Sequence, residues 1–186
     1  KMHLNRGYVF CETPTMLSKE LWEISGHWGN YKDNMYTSTI EDREFAIKPM
    51  NCPGGMLVYK NGLHSYRDLP MRLAEMGHVH RYEASGALNG LFRVRSFTQD
   101  DAHLFMTQEQ LQSEIIEILD FIDEIYSIFG LEYTIELSTR PEANYIGTVE
   151  IWDASEQALK DAMDAAGKPY KINPGDGAFY GPKLDF

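Results

Sequence analysis

The segment from residue 71 to residue 103 constrains the fold of this chain most, because it reads as two strands joined by a loop. The loop, residues 84–90, has the sequence Ala-Ser-Gly-Ala-Leu-Asn-Gly, which is small and prone to turns. Glycine and asparagine between two extended runs favour an antiparallel return of the chain. We therefore predict that the second strand pairs with the first.

The second strand is predicted to present one unusually polar face, because side chains alternate between the two faces of a strand. That face carries guanidinium, aromatic, amide, carboxylate and imidazole groups, on Arg93, Arg95, Phe97, Gln99, Asp101 and His103. This row predicts the floor of a site for a ligand with a phosphate, a flat ring and a small polar group. The alternative at this point is an ordinary solvated sheet face with polar variety by chance.

Length and composition bound the class of protein. A chain of 186 residues with 43% hydrophobic side chains suffices for one sizeable domain with a core. No apolar run of about 18 residues occurs, so we predict no membrane span. The N-terminus lacks the apolar stretch of a secretory signal and reads as the middle of a longer chain. Two cysteines make no disulfide framework, which indicates a reducing, cytoplasmic setting.

The net charge of −11 is unevenly distributed along the chain. Residues 43–98 carry 8 basic and 4 acidic side chains, whereas residues 99–186 carry 5 basic and 18 acidic ones. The basic excess coincides with the two predicted strands, where a few aimed arginines can serve an anionic ligand on an acidic protein. The acidic balance argues against this chain holding a long RNA by itself.

Two amphipathic helices are predicted in the second half of the chain. The first runs from about residue 108 to residue 129, with Thr107 as N-cap and Gln110 completing a capping box. Its apolar stripe is expected on Leu111, Ile115, Ile118, Ile122, Ile125 and Phe129. The acidic residues off this stripe, Glu114 among them, are predicted to form a solvated face. The second helix spans roughly residues 149–166.

Shorter elements are predicted in the first half. They are a helix in residues 16–24 with Leu17, Leu21 and Ile24 on one face, a glycine-punctuated loop in residues 25–31, strands in residues 35–40 and 44–48, and a helix in residues 54–61. Strands grouped as meanders, with helices inserted between them, predict an α+β fold with a mainly antiparallel sheet flanked by helices.

Several local sequences resemble one enzyme family. Arg-Tyr-Glu at residues 81–83 and Phe-Arg-Val-Arg at residues 92–95 resemble the second signature motif of class II aminoacyl-tRNA synthetases. Four further segments resemble threonyl-tRNA synthetases within that class, namely NCPG at 51–54, SYRDLP at 65–70, FTQDDAH at 97–103 and FYGPK at 179–183. The resemblance runs from Arg6 to Phe186. It implies the antiparallel α+β fold of that class, with residues 1–186 forming part of the aminoacylation domain.

The resemblance also implies an activity, namely the ATP-dependent activation of threonine and its transfer to the 3′-terminal adenosine of tRNA. The implied partners are threonine, ATP with Mg²⁺, tRNA and a second copy of the protein in a homodimer. Adenylate formation crowds negative charge at the reacting centre, and the planar fork of arginine suits phosphate and carboxylate groups. Arg81 matches the arginine that bridges the amino-acid carboxylate and the α-phosphate. Glu83 matches the acid on the adenine amino group, Arg93 the arginine on the triphosphate, and Phe97 the ring that stacks on adenine.

Two further residues receive roles only through the resemblance. His27 matches a histidine that assists proton transfer from the tRNA ribose, and Lys183 matches a lysine near the adenylate. Without the resemblance, Glu83 and the arginines read as a cross-strand ion-pair ladder. His27 then reads as a structural loop histidine and Lys183 as a turn lysine. Arg95 has no assigned role.

Cys52 and His103 form a pair that the resemblance assigns to zinc. Thiolate and imidazole are good zinc ligands, but 51 residues apart they identify no site by themselves, and Cys52 alone reads as a small buried hydrophobe. The resemblance implies two of three protein ligands to a zinc ion that binds the threonine amino and hydroxyl groups and so rejects valine. Asp101 is then expected to accept the hydroxyl hydrogen bond, while Gln99 and Tyr180 hold the ammonium.

Two features depart from the family pattern. The third zinc ligand and the arginine of motif 3 are expected beyond Phe186, so we expect the isolated chain to be nearly inactive and its zinc site incomplete. Gly55 stands where a histidine is expected. Two alternatives remain, a non-catalytic binding or regulatory paralogue and a class II synthetase for another amino acid. Cys52, Asp101 and His103 together oppose the second.

Overall fold

The computed structural model describes residues 1–186, which form two compact units, residues 1–106 and residues 107–186. We call them the first unit and the second unit. The elements of the first unit are, in chain order, α1 (Met2–Asn5), β1 (Val9–Phe10), β2 (Met16–Ser18), α2 (Lys19–Ile24), α3 (His27–Asn30), β3 (Thr37–Ile40), β4 (Arg43–Ile47), α4 (Cys52–Lys60), β5 (Met71–His80) and β6 (Ser96–Phe105).

The predicted strand, loop and returning strand are confirmed. Strands β5 and β6 pair antiparallel over ten residues each, and β1 pairs parallel with the other edge of β5. The intervening loop is longer than the predicted turn, so Glu83 and Arg93 lie outside the regular strands. A hydrogen bond of 2.9 Å from the Arg81 amide to the Arg95 carbonyl extends the pairing by one step.

A second antiparallel sheet has the order β2–β4–β3. Strands β3 and β4 are joined by Glu41 and Asp42, which have φ angles of 49° and 60°. Positive φ at both loop residues matches the right-handed twist of the flanking strands, as in hairpins of type I′.

The helix predicted in residues 16–24 is only partly correct. Residues 16–18 form β2, because their backbone groups pair with β4, and the helix begins at Lys19. Trp22 is the buried residue of α2 and packs with Met35 and Ala46, whereas Ile24 is 86% exposed. The cross-strand hydrogen bonds of β2 thus override the local helical periodicity.

The second unit contains two long helices and a three-stranded sheet, with the elements α5 (Leu111–Phe129), β7 (Glu136–Ser138), α6 (Val149–Ala165), β8 (Lys171–Asn173) and β9 (Lys183–Asp185). In the sheet, β7 pairs parallel with β8 and antiparallel with β9. The capping box of Thr107 and Gln110 is confirmed, although it caps a 3₁₀ turn that precedes α5.

The buried face of α5 differs from the predicted stripe. The core of the second unit centres on Ile115 and Leu119, and Leu119 was not on the predicted stripe. Phe129, predicted to be apolar core, is 71% exposed, and Glu114, predicted to be solvated, is buried. The helix carries isoleucines on several faces, so its own sequence does not select one buried face. The contact with Ala162 and Met163 of α6 selects it.

The α+β class with mainly antiparallel pairing is confirmed, since four of the six strand pairs are antiparallel, among them the ten-residue β5–β6 pair and both pairs of the β2–β4–β3 sheet. None of the helices combines the length and apolar character needed to cross a membrane.

Candidate active site

The half-buried face of β6 carries four of the predicted site residues. Phe97, Gln99, Asp101 and His103 are partly buried, while the alternating residues Ser96, Thr98 and Asp100 are exposed. Directly opposite on β5 lie four buried residues, Val79, Gly77, Glu75 and Leu73. This face therefore has a closely packed floor on one strand and functional groups on the other.

The two histidines of β5 lie on the opposite face, as the alternation predicts. His78 contacts the hydroxyls of Thr98 and Ser96 at 3.1 and 2.9 Å, and His80 contacts Ser96 at 3.2 Å. They are therefore not part of the polar face that carries Asp101.

Arg81 lies at the end of β5 beside Phe97. Its Nε donates to the Pro49 carbonyl at 3.0 Å, and its guanidinium carbon lies 5.1 Å from the centre of the Phe97 ring. The hydrogen bond fixes the direction of the planar fork and leaves its terminal nitrogens for an anionic ligand. The structure thus brings Arg81 and Phe97 together, as the site prediction requires.

Glu83 and Arg93 form an ion pair beyond the strand ends. The distance from Arg93 Nη1 to Glu83 Oε1 is 3.4 Å, and the Arg93 side chain is 56% exposed. The Glu83 side chain is 15% exposed, and an ion pair with one partner in solvent contributes only modestly to stability. Both groups can therefore exchange this contact for a ligand.

Arg95, which had no assigned role, stabilises the loop. Its Nε donates to the Glu83 carbonyl at 2.9 Å, its Nη2 donates to Ser85 Oγ at 3.3 Å, and its guanidinium lies 5.1 Å from the centre of the Tyr82 ring. These contacts hold together the two ends of the segment that joins β5 and β6.

Asp101 is oriented by a residue to which the sequence analysis assigned no role. The amide nitrogen of Asn51, immediately before α4, donates to Asp101 Oδ2 at 3.0 Å. This bond ties the start of α4 to the middle of β6.

Cys52 and His103 lie on facing elements, and Gly55 explains how they approach. A Cβ atom added to Gly55 would lie 3.0 Å from His103 Nδ1 and 3.3 Å from Cγ, which is tighter than ordinary contacts. Cys52 precedes Gly55 by three positions in α4, so the two residues share a helix face. The glycine that departs from the family pattern therefore provides the space for the His103 ring beside this helix face.

Burial raises the pKa of the Cys52 thiol to about 11, and the Asp101 carboxylate adds to the rise while Arg81 opposes it. At neutral pH the metal-free thiol is therefore protonated. A protonated, partly buried thiol is a poor nucleophile.

We expect Cys52 to be alkylated slowly by iodoacetamide after chelator treatment. The rate should grow roughly tenfold for each pH unit up to about pH 11, because only the thiolate reacts. Peptide mapping by mass spectrometry measures the rate, with glutathione as the reference thiol. A rate at pH 8 equal to that of glutathione would contradict the buried, protonated state.

The donor chemistry fits zinc only in part. No group of three or more His, Cys, Asp or Glu side chains is arranged to hold a metal ion. Cys52 and His103 nevertheless offer sulfur and nitrogen, the donors that zinc prefers. Zinc binding by Cys52 and His103 therefore stays a prediction.

His27 is buried at the start of α3. Its Nδ1 lies 2.9 Å from Ser25 Oγ, its Nε2 lies 3.3 Å from Met50 Sδ, and its ring packs edge-on against Trp22. Burial lowers the pKa of the imidazole, although a hydrogen bond with Ser25 opposes the change. The His27 imidazole is thus neutral at pH 7. Its contact Met50 directly precedes Asn51 in the sequence.

A buried ion pair lies next to the site, and no sequence pattern predicted it. Lys48 Nζ lies 2.7 Å from Glu75 Oε1, and both side chains are only 3% exposed. Glu75 also accepts hydrogen bonds from the Thr13 amide and hydroxyl, both at 2.9 Å. Because Glu75 is the register partner of Asp101, this network fixes the strand pair at the site.

The remaining two predicted site residues belong to the second unit. Tyr180 is 52% exposed and packs edge-on against Phe179. Lys183 lies between Asp176 and Asp185, at 3.4 and 3.0 Å. In this unit Lys183 is therefore part of a small surface ion-pair group.

The net negative charge of the chain lies in the second unit. Residues 107–186 carry 16 acidic and 5 basic side chains, so the second unit accounts for the net charge of −11. The first unit is balanced, with 12 of each sign, and it contains every arginine of the candidate site. An anionic ligand is consequently favoured at the first unit.

The fold and the family comparison together define the class of this chain. A family model described as the tRNA synthetase class II core domain (G, H, P, S and T) matches residues 36–186, and the chain belongs to this family.

Within that family the chain is similar to threonine–tRNA ligases. It is 67% identical over 185 residues to the threonine–tRNA ligase of Fusobacterium nucleatum, covering 99% of this chain and 30% of the relative. It is 65% identical over 179 residues to that of Protochlamydia amoebophila, covering 96% and 28%. The resemblance seen in the sequence is thus confirmed, and the chain spans less than a third of the length of these relatives.

Two solved structures of threonyl-tRNA synthetases are similar to this chain. A crystal structure described as the RNA binding domain of threonyl-tRNA synthetase from Cryptosporidium parvum matches with a TM-score of 0.95 at 50% identity, covering 98% of this chain and 46% of that one. A putative threonyl-tRNA synthetase from Aeropyrum pernix matches with a TM-score of 0.87 at 38% identity, covering 100% and 43%.

Proposed function

We propose that this chain is part of the catalytic core of a threonine–tRNA ligase and that its first unit binds ATP and threonine. The observation that carries the proposal is the single polar face of β5 and β6. There Arg81 stacks beside Phe97, and the carboxylate of Asp101 is held close to the start of α4. The names of the relatives support the choice of amino acid.

The nucleotide is proposed to lie along the Arg81 end of the face. The terminal guanidinium nitrogens of Arg81 would bind the α-phosphate and the threonine carboxylate, which positions the two reacting groups. Phe97 would stack on adenine, and Glu83 and Arg93 would give up their mutual contact for the adenine amino group and the triphosphate. Fixed positive charge then stabilises the transition state.

Threonine is proposed to lie along the Asp101 end. Asp101 would accept a hydrogen bond from the threonine hydroxyl, and Gln99 and Tyr180 would hold the ammonium group. Cys52 and His103 would be two ligands of a zinc ion, which when bound supplies a Lewis acid for the amino and hydroxyl groups.

The whole protein is proposed to use Mg²⁺-bound ATP and tRNA as a homodimer in the cytoplasm. In the transfer step, neutral His27 would accept a proton, and Lys183 would lie near the adenylate. We propose residues 1–186 as one partial aminoacylation domain in that protein.

We expect the gene product that contains this chain to catalyse threonine-dependent ATP–pyrophosphate exchange and to prefer threonine to valine. Chelator treatment should reduce this preference, because a site that demands a hydroxyl ligand rejects valine. Added zinc should restore it. The isolated 186 residues should show little exchange.

Absence of exchange from the whole gene product, with tRNA binding retained, would contradict the proposal and support a non-catalytic paralogue. Exchange with another amino acid and not with threonine would contradict the assigned substrate.

A further inference from the structure

The side chain of Asn51, which directly precedes α4, does not cap that helix. At the N-cap of α4, an asparagine side chain ordinarily accepts a hydrogen bond from the first helical turn. Asn51 makes no such capping bond. Its side chain is 0% exposed, and its amide nitrogen donates to Asp101 Oδ2 at 3.0 Å. The side chain therefore bonds to β6 and not to its own helix.

Gly77 leaves the space that the Asn51 amide occupies. A Cβ atom added at Gly77 would lie 2.1 Å from Asn51 Nδ2 and 2.3 Å from both Cγ and Oδ1. No side chain fits at such distances without a shift of the amide. Asn51 is thus held between the bare backbone of β5 and the carboxylate on β6, which fixes its orientation and that of Asp101.

The carbonyl oxygen of the same amide lowers the stability of the fold. Asn51 Oδ1 is buried and has no hydrogen-bond partner. A buried acceptor without a partner destabilises a fold. Turning the amide over would point its oxygen at the Asp101 carboxylate and exchange a hydrogen bond for repulsion. The orientation with Nδ2 toward Asp101 is therefore favoured, although it leaves Asn51 Oδ1 without a hydrogen-bond partner.

We propose that Asn51 is a positioning residue that sets the specificity for an amino acid with a side-chain hydroxyl, by fixing the Asp101 carboxylate. The inference rests on the proposed function, in which Asp101 accepts the hydroxyl hydrogen bond. With Oδ2 held by Asn51, Asp101 Oδ1 would be the oxygen that accepts the hydroxyl hydrogen bond. A neutral amide orients the carboxylate without neutralising its charge. A site built to bind a hydroxyl rejects analogues that lack it far more strongly than an apolar pocket does.

The test compares threonine with valine in ATP–pyrophosphate exchange by the whole gene product. Asn51→Leu has a similar volume and removes both the donor and the unpartnered acceptor. We expect the ratio of kcat/KM for threonine to kcat/KM for valine to fall on the order of tenfold to a hundredfold, since a misplaced group loses its alignment. The melting temperature should change little, because removal of the unpartnered oxygen offsets the loss of the hydrogen bond to the partly buried Asp101 carboxylate.

The matched control is Asn61→Leu, the same substitution at the exposed far end of α4, which should leave the ratio unchanged. Asn51→Ser is the second variant. Its hydroxyl is too short to reach Asp101, and it should also lower the ratio. If Asn51→Leu does not fold, the serine variant decides.

A folded Asn51→Leu or Asn51→Ser protein that keeps the parent ratio would overturn the inference and leave the proposed function intact. A lower melting temperature with an unchanged ratio would assign Asn51 a purely structural role and would overturn it equally. A parent protein without threonine-dependent exchange would instead overturn the proposed function.

Discussion

Replacement of Arg81 with alanine is expected to lower threonine-dependent ATP–pyrophosphate exchange by about a hundredfold to a thousandfold. The reason is its position, since its Nε is held by the Pro49 carbonyl and its guanidinium lies over the ring of Phe97, which shares a strand face with Asp101. Removal of a pre-oriented donor costs transition-state stabilisation that water cannot replace. Steady-state kinetics of the whole gene product measures the effect.

Two further variants sharpen this test. Arg81→Lys should recover only part of the activity, because an ammonium group cannot bind two groups through a planar fork. Arg43→Ala removes an exposed arginine of the β3–β4 hairpin and should leave exchange unchanged. Equal losses in the Arg43 and Arg81 variants would indicate a general charge effect and would refute the specific role of Arg81.

Replacement of Lys48 with methionine is expected to destabilise the β5–β6 region by about 3–5 kcal/mol. Methionine fills the space of the lysine stem, so the loss comes from the Glu75 carboxylate, which stays buried without its cation. Native-state hydrogen exchange of the β5 amides reports the free energy of local opening.

The double variant Lys48→Met with Glu75→Gln should recover most of that loss. Glutamine keeps an acceptor for the Thr13 amide and hydroxyl and leaves no buried charge. Lys19→Met is the control, because Lys19 forms its ion pair with Glu44 at the surface, and it should change the opening of β5 little. Additive losses in the double variant would contradict the account of an uncompensated buried charge.

Local elements of this fold could be predicted from the sequence, because their signals lie within a few residues. The alternation along β6 identified the face that carries Phe97, Asp101 and His103, and the structure places these side chains on one half-buried face. The capping box at Thr107 identified the start of the helical segment. The family motifs identified the class, which the family match confirms.

Predictions failed where long-range packing competes with local periodicity. Residues 16–18 carry a helical pattern yet form a strand, because β4 supplies hydrogen-bond partners. In α5, the packing against α6 buries Leu119, whereas Phe129 at the end of the helix is exposed. The roles of the individual site residues, zinc binding included, stay predictions that the kinetic and metal-removal experiments test.

The sequence by itself determined the strand pair, the order of polar groups along it and the family. Only the tertiary structure decided which residues hold those groups in place. Asn51 meets Asp101 across 50 positions, Lys48 meets Glu75 across 27, and Gly55 makes room for His103. Such contacts leave no local pattern in a sequence, because a hydrogen bond between distant residues depends on how the backbone brings them together and not on their spacing along the chain.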